Sequence, residues 1–262
     1  MTSTARHSLS DLFVLAPAGE DRFRAEALWP EPFPLYGGQV AAQALYAAAL
    51  TVREDRRPHA FHAHYLLPGD TARPLDFRVE RDRDGRSFSS RRVVVTQGGA
   101  PVVTLAASFH TGGRGPDRQF ARPPRVTPPG ASERGDFPRL SLVEWRQPEQ
   151  EAEEEYLWPP RLWARPPGGL PEGPVATACA LAYVSDASMA AMGPGGPGTG
   201  ITLNHSVWFH RLPAAADWTL LDLSAGTVSD GRGWYTGALY AENGRLLASL
   251  AQEVVYRSPR AA

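Results

Sequence analysis

The sequence predicts an α+β protein in which one small unit, a buried helix followed by antiparallel strands, occurs twice. The first observation is a repeated turn, because Asp84-Gly85-Arg86 returns in the second half as Asp230-Gly231-Arg232. The second is that an apolar strand, a glycine-containing turn and a final apolar strand follow each copy. This repeated order indicates a duplicated fold, so we expect the chemistry where the two copies differ.

The first copy begins with its helix. Residues 39–50 are rich in alanine and apolar almost all round, which predicts a helix buried on nearly every side. Apolar runs separated by turn signals then predict antiparallel strands at residues 62–67, 75–81, 88–96 and 102–109. A buried helix ahead of such strands predicts a sheet wrapped around a helix.

The second copy repeats this order. Residues 176–192 form a helix candidate that is apolar except for small residues and one carboxylate, Asp186. Strands are predicted at residues 201–210, 220–228, 234–241 and 246–256. Aligning the copies pairs His62 with His205 and Gly85 with Gly231. Two units of this kind are the pattern of a double hotdog, in which two sheets join side by side and each encloses one helix.

The expected domains follow from this repeat. Residues 8–111 form the N-terminal hotdog domain, and residues 137–262 form the C-terminal hotdog domain with the candidate catalytic residues. Between them, residues 112–136 are mostly Pro, Gly and Arg without periodicity, which is typical of a linker.

Composition excludes several classes of function. The net charge is −1 and the arginines are scattered, so no electrostatic argument favours nucleic acid. All 27 basic residues are arginine, which excludes any lysine-based mechanism. Cys179 is the only cysteine, so no disulfide and no multi-cysteine metal site is expected. No apolar run approaches the roughly 18 residues of a membrane span, and we expect a cytoplasmic protein.

Comparison of the copies identifies three polar residues. The second helix carries Asp186 where the first has no acidic residue, Gln252 stands where the first copy has Ala107, and Thr202 is opposite His59. A carboxylate with a hydroxyl and an amide can activate and orient a water molecule. The alternative is structural: Asp186 could cap a helix end, and the other two could be ordinary strand residues.

A second candidate lies where the first helix begins. Gly37 and Gly38 precede the alanine-rich run, and the N–H groups at a helix start bind negative charge. They could hold the developing oxyanion of an acyl transfer. An ordinary loop-to-helix junction is the alternative.

Weaker signals accompany these two. His62 and His64 would share a strand face near His59, but no carboxylate lies near them in sequence, so a structural or surface role is favoured over a metal site. Arg91 and Arg92 alternate across a strand; one could meet a phosphate of a ligand, but a solvated strand edge is favoured. Residues 193–198 match G-x-G-x-x-G, but they follow a helix and contain prolines, which excludes a dinucleotide site and indicates a flexible loop near the site entrance. No G-x-S-x-G occurs.

Long motifs carry a resemblance to a known family. LYGGQVAAQAL at residues 35–45, HAHYLLPGD at 62–70 and RDGRSFSSRRV at 83–93 closely resemble acyl-CoA thioesterase II. YVSD at residues 183–186, NHSVWFHR at 204–211 and AQE at 251–253 continue the match in the same order. The resemblance implies a double-hotdog hydrolase that cleaves fatty acyl-CoA to free fatty acid and CoA.

The resemblance also implies roles and partners. The family's catalytic Asp, Thr and Gln fall on Asp186, Thr202 and Gln252, which hold a water that attacks the thioester directly, while the Gly38 N–H polarises the carbonyl. No metal and no cofactor beyond the CoA of the substrate are implied. Because hotdog sheets commonly associate edge to edge, we expect a homo-oligomer, a dimer or a tetramer. Two other functions stay open: a non-catalytic acyl-binding or scaffold hotdog, and a hotdog enoyl hydratase or dehydratase.

Overall fold

The computed structural model describes residues 8–28, 34–113, 115–135, 142–150, 160–167, 172–187, 200–212 and 218–256. In the first half, one long helix accompanies six strands. In chain order they are β1 (Ala16–Pro17), β2 (Arg22–Ala25), α1 (Gly37–Ala49), β3 (Arg57–Tyr65), β4 (Leu75–Asp84), β5 (Phe88–Gln97) and β6 (Ala100–His110).

The second half repeats this set with one additional strand. Its elements are β7 (Glu133–Arg134), β8 (Glu144–Gln147), β9 (Arg161–Arg165), α2 (Pro174–Ser185), β10 (Gly200–Phe209), β11 (Thr219–Ser229), β12 (Arg232–Ala241) and β13 (Leu246–Tyr256). Short 3₁₀ helices lie at Leu9–Phe13 and Pro129–Ala131. The predicted α+β class is confirmed, and each long strand lies within a few residues of its predicted place.

All thirteen strands form one antiparallel sheet, in the order β1-β2-β4-β5-β6-β3-β10-β13-β12-β11-β9-β8-β7. The two halves join through β3 and β10, where Phe61 lies opposite Val207 and His62 opposite Ser206. On either side of this join the main strands occur in the same order. The repeated Asp-Gly-Arg turn connects β4 to β5 and β11 to β12, at equivalent places in the two halves. The predicted pairing of His62 with His205 is wrong by one position. His205 lies opposite Gln252 on β13, and in the first half Ala107, the counterpart of Gln252, lies opposite Phe61.

The two long helices pack against each other inside the curved sheet. Alanine is the most frequent buried residue of both helices, and Ala44 and Ala182 are fully buried. One-carbon side chains let two helices approach closely while β-branched and aromatic residues of the strands fill the outer part of the core. The second helix ends at Ser185, so the prediction that it extends to residue 192 is wrong where the structure describes the chain, and residues 188–199 lie outside it.

The predicted linker lies along the second half. Gln119 Oε1 accepts a 2.7 Å hydrogen bond from the Leu246 backbone N–H, and Gln119 Nε2 donates to the Gly244 carbonyl at 2.9 Å. Trp163 Nε1 donates to the Thr127 carbonyl at 2.9 Å. The domain boundaries at residues 111 and 137 stay a prediction. None of the helices in the described part of the chain is long and apolar enough to cross a membrane.

Candidate active site

The three polar residues that distinguish the second copy lie together. Asp186 directly follows the last helical residue of α2 and is only 3% exposed. Thr202 lies near the start of β10, and Gln252, 1% exposed, lies on β13. The pairing of β10 with β13 shifts register between Thr202 and Asn204, and a bulge of this kind changes the direction of neighbouring side chains.

Hydrogen bonds connect the three side chains in a triangle. Gln252 Nε2 donates to Asp186 Oδ1 at 2.7 Å and to Thr202 Oγ1 at 2.8 Å. Thr202 Oγ1 in turn donates to the same carboxylate oxygen at 3.3 Å. Both hydrogen bonds that Gln252 Nε2 donates therefore hold the other two side chains in place. Gln252 Oε1 is buried and accepts no hydrogen bond from any residue that the structure describes.

The start of α1 faces this triangle from the first half. A Cβ placed on Gly37 would lie 2.7 Å from Asp186 Oδ2 and 2.9 Å from the Tyr65 ring. A Cβ on Gly38 would lie 2.5 Å from the Tyr183 carbonyl oxygen. Neither position has room for a side chain. The site is therefore composite: the carboxylate comes from one half and the helix start from the other.

Two tyrosines that the sequence interpretation did not single out fix this junction. Tyr36 Oη donates to the Tyr183 carbonyl at 2.8 Å, and Tyr65 Oη donates to the Gly37 carbonyl at 3.0 Å. Burial, and then the nearby charge of Asp186, raise the pKa of both hydroxyls well above the usual value for tyrosine. Both hydroxyls therefore stay protonated donors: Tyr36 connects the start of α1 to α2, and Tyr65 connects β3 to α1. Their only sequence signal is that both lie within the long family motifs.

His205 supports the other end of the junction and was also missed. It is fully buried, and burial lowers its pKa to about 3, so the ring is neutral. Ser185 Oγ donates to the Ala182 carbonyl at 2.9 Å, so at its 2.7 Å contact with His205 Nε2 it accepts. The proton is therefore assigned to Nε2. This bond holds the last turn of α2, immediately before Asp186.

None of the three histidines of β3 is buried. His62 and His64 are exposed on β3, where His62 Nδ1 lies 2.9 Å from Ser206 Oγ, and His59 Nε2 lies 2.8 Å from Ser108 Oγ. Burial raises the pKa of the Cys179 thiol, which makes it a poor nucleophile. Residues 193–198 lie outside the described residues.

The side chains of Arg91 and Arg92 lie on opposite faces of β5, because successive residues of a strand alternate between its two faces. Arg92 is exposed and pairs with Glu80 and Asp82, as expected for a solvated strand. For Arg91 that expectation is wrong, because its side chain is 1% exposed. Its guanidinium donates to Thr51 Oγ1 at 2.8 Å, to the Thr51 carbonyl at 3.0 Å and to Asp84 at 2.8 Å. Arg91 thus fixes the end of α1 and is not available to a ligand.

Both halves of the chain match models of the same family. Residues 26–110 match the family model of the acyl-CoA thioesterase N-terminal domain, and residues 115–256 match that of the acyl-CoA thioesterase C-terminal domain. Acyl-coenzyme A thioesterase 8 of Homo sapiens is 31% identical over 285 residues, which cover 93% of this chain and 86% of that protein. Acyl-CoA thioesterase 2 of Haemophilus influenzae is 31% identical over 85% of this chain and 87% of its own length.

Solved structures agree with the fold. The tesB protein of Mycobacterium avium subs paratuberculosis superimposes with a TM-score of 0.82 at 30% identity, covering 95% of this chain and all of that one. A hot dog fold protein from Alicyclobacillus acidocaldarius gives the same TM-score at 22% identity, covering 97% and 99% of the two chains. The double-hotdog prediction is confirmed.

Proposed function

Because the chain belongs to the acyl-CoA thioesterase family, we propose that it hydrolyses the thioester of a fatty acyl-CoA by direct attack of water. The observation that carries this mechanism is the hydrogen-bonded triangle of Asp186, Thr202 and Gln252 against the start of α1. It combines a carboxylate base, two groups that fix its orientation, and a set of backbone N–H groups that favours negative charge.

Asp186 is the proposed general base. Its Oδ1 receives hydrogen bonds from Gln252 and Thr202, so this oxygen is held in place while Oδ2 faces the start of α1. A water between the carboxylate and the substrate would donate one proton to Asp186. The buried Gln252 Oε1 can accept the other, which would orient a lone pair toward the carbonyl carbon.

The start of α1 is the proposed site for the thioester carbonyl. The N–H groups of Gln39 and Val40 already bond the Tyr36 carbonyl, whereas the first N–H groups of a helix have no carbonyl within it to bond. We assign the Gly38 N–H to polarising the thioester carbonyl. The Gly37 position, with no side chain, brings that carbonyl next to the base.

The bond changes balance without a covalent enzyme intermediate. The water oxygen bonds to the carbonyl carbon as its proton passes to Asp186, and the carbonyl oxygen becomes an oxyanion at the helix start. Collapse of this intermediate breaks the carbon–sulfur bond, and the proton held by Asp186 passes to the departing sulfur. The products are a fatty acid and free CoA, and the carboxylate of Asp186 is regenerated.

The test is release of free thiol from a panel of short, medium and long acyl-CoAs. Asp186→Asn preserves shape but removes the base, and we expect kcat to fall by about 10²–10⁴-fold. Asp230→Asn is the matched control because it makes the same change in the β11–β12 turn, where the backbone φ of 53° is one that Asn tolerates. Full activity of Asp186→Asn would show that the base is assigned wrongly.

The same panel, extended by an enoyl-CoA and a binding measurement, separates the alternatives. A non-catalytic acyl-binding protein would bind acyl-CoA and release no thiol above background. A hydratase would consume an enoyl-CoA with loss of its ultraviolet absorbance and with the thioester intact. The geometry does not favour the hydratase, because the buried His205 is engaged by Ser185 and is not paired with Asp186 as an acid.

A further inference from the structure

A cavity of about 170 Å³ lies in the second half, between α2 and the ends of the surrounding strands. Its floor is apolar and includes Ala180, Leu181 and Val184 of α2 together with Leu247 of β13. An engineered apolar cavity of about 150 Å³ binds benzene, so this volume accommodates an aliphatic segment of about six carbons.

The first half has a space in a similar position, and there it is far smaller. The two spaces share part of their surroundings, because β2 borders β4 as β9 borders β11, whereas the β12–β13 turn lines only the second. In the first half the space is about 10 Å³, enough for one water, and its lining includes the polar Gln39, Gln43 and Arg73. The two halves therefore differ here: the first has a small space with a polar lining, and the second has a large, mainly apolar cavity.

The open cavity is separate from the catalytic triangle. Thr202 lies near the start of β10, whereas Arg211, which lines the cavity, lies nine residues further along the chain, about 30 Å away along an extended strand. On the helix, Val184 and Asp186 differ by about 200° around the axis, so they point to nearly opposite sides. The cavity and the site around Asp186 are thus on different sides of α2.

The rim of the cavity carries more positive than negative charge. Arg211 pairs with Asp117, and Arg245 also lowers the pKa of that carboxyl, so two guanidinium groups share one carboxylate. Trp218, which lines the cavity, lies beneath Arg146 and Arg165 with their charged carbons 5.1 and 4.5 Å from its ring centre. These two arginines share Glu144. An apolar interior with a cationic rim suits an amphipathic anion.

We propose that this cavity is a second, non-catalytic ligand site that takes a medium-chain fatty acid. The alkyl chain lies on Ala180, Leu181 and Val184, and the carboxylate lies at the rim near Arg211 and Arg245. The site does not depend on hydrolysis, although a fatty acid is also the product of the proposed reaction. Occupation of the site would then report the accumulation of product.

Calorimetric titration of the full chain with octanoate tests this site. We expect one octanoate per chain, and no binding of acetate, which lacks the chain, or octylamine, which has the opposite charge. Asp186→Asn should bind octanoate as the wild type does, which separates this result from the fate of the proposed hydrolysis.

Variants locate the ligand. Ala180→Leu fills the cavity and should weaken octanoate at least about tenfold, and Arg245→Gln at the exposed rim should weaken it about threefold. The matched controls are Gln43→Leu and Arg73→Gln, which alter the lining of the small space in the first half. Both should leave octanoate binding unchanged.

Three results would overturn the proposal: octylamine binding as tightly as octanoate, loss of octanoate binding in Asp186→Asn, or wild-type affinity in a folded Ala180→Leu. Circular dichroism shows whether Ala180→Leu folds. If it does not, the octylamine comparison and the octanoate affinity of Arg245→Gln still test the proposal, because neither alters the interior of the protein.

Discussion

Gln252 Nε2 donates a 2.7 Å hydrogen bond to Asp186 Oδ1, and both side chains are buried. Thr202 donates to the same oxygen, so a single carboxylate oxygen is held by an amide and a hydroxyl. Loss of either donor should release the same atom, Asp186 Oδ1, so the effects of the two losses on catalysis should overlap.

Removal of these donors should therefore be non-additive. We expect Gln252→Ala and Thr202→Val each to lower kcat by about 10- to 100-fold, and the double variant to lose less than the product of the two losses. Steady-state hydrolysis of one acyl-CoA by the four proteins measures this. Strictly multiplicative losses would mean that the two residues act independently.

The two glycines at the start of α1 should differ in their response to alanine. At Gly38 the added methyl meets the Tyr183 carbonyl of the backbone, which cannot rotate away, and we expect Gly38→Ala to lower the free energy of unfolding by about 1–3 kcal/mol. At Gly37 it meets the side chains of Asp186 and Tyr65, so Gly37→Ala should reduce kcat more than stability.

Chemical denaturation and thiol release together separate these two effects. Gly130→Ala is the control, because no heavy atom lies within 4 Å of its added Cβ. Equal loss of stability in the Gly37 and Gly38 variants would contradict the geometry.

Burial of neutral His205 should make the protein sensitive to acid. Its folded pKa of about 3 lies below the unfolded value, so its contribution to stability is complete above pH 6.5 and is lost as the pH falls toward 3. This residue should lower the free energy of unfolding by up to about 1.4 kcal/mol per pH unit in that window. Carboxylates titrate there too, so the measurement is the difference between wild type and His205→Gln.

The control for this pH profile is His64→Gln, which changes an exposed histidine on β3. We expect the His64 variant to follow the wild-type curve and the His205 variant to have a shallower slope below pH 6.5. Parallel slopes for wild type and His205→Gln would show that His205 is not buried in its neutral form.

Neighbouring arginines of β5 offer a matched pair for stability. Arg91→Ala leaves Thr51 and the end of α1 without the buried guanidinium, and we expect a loss of about 1–3 kcal/mol in the free energy of unfolding. Arg92→Ala removes an exposed pair with Glu80 and Asp82 and should cost about 0–1 kcal/mol. Urea denaturation of both variants compares them, and similar losses would contradict the buried role of Arg91.

Much of the fold could be predicted because it rests on local patterns. Alanine-rich apolar runs, alternating strands and the duplicated Asp-Gly-Arg turn each lie within a few neighbouring residues. The turn also aligned the copies, and this comparison singled out Asp186, Thr202 and Gln252. The end of α2 was missed, because residues 188–192 continue its composition and Asp186 breaks the helix without any proline nearby.

Contacts between distant residues could not be predicted. Nothing in the sequence says that Gly37 of the first half meets Asp186 of the second, or that Tyr36 bonds the Tyr183 carbonyl. Nor does alternation say which of Arg91 and Arg92 faces the core. These choices depend on how the sheet curves around two packed helices.

The sequence by itself determined the duplication, the order of the elements and the polar residues that one copy has and the other lacks, because these are properties of the chain and its local periodicity. Only the tertiary structure decided that a carboxylate from one copy and a helix start from the other face each other. It also decided that the second half keeps a cavity of about 170 Å³ beside α2, whereas the space beside α1 has room for about one water, since side-chain packing around each helix sets these volumes.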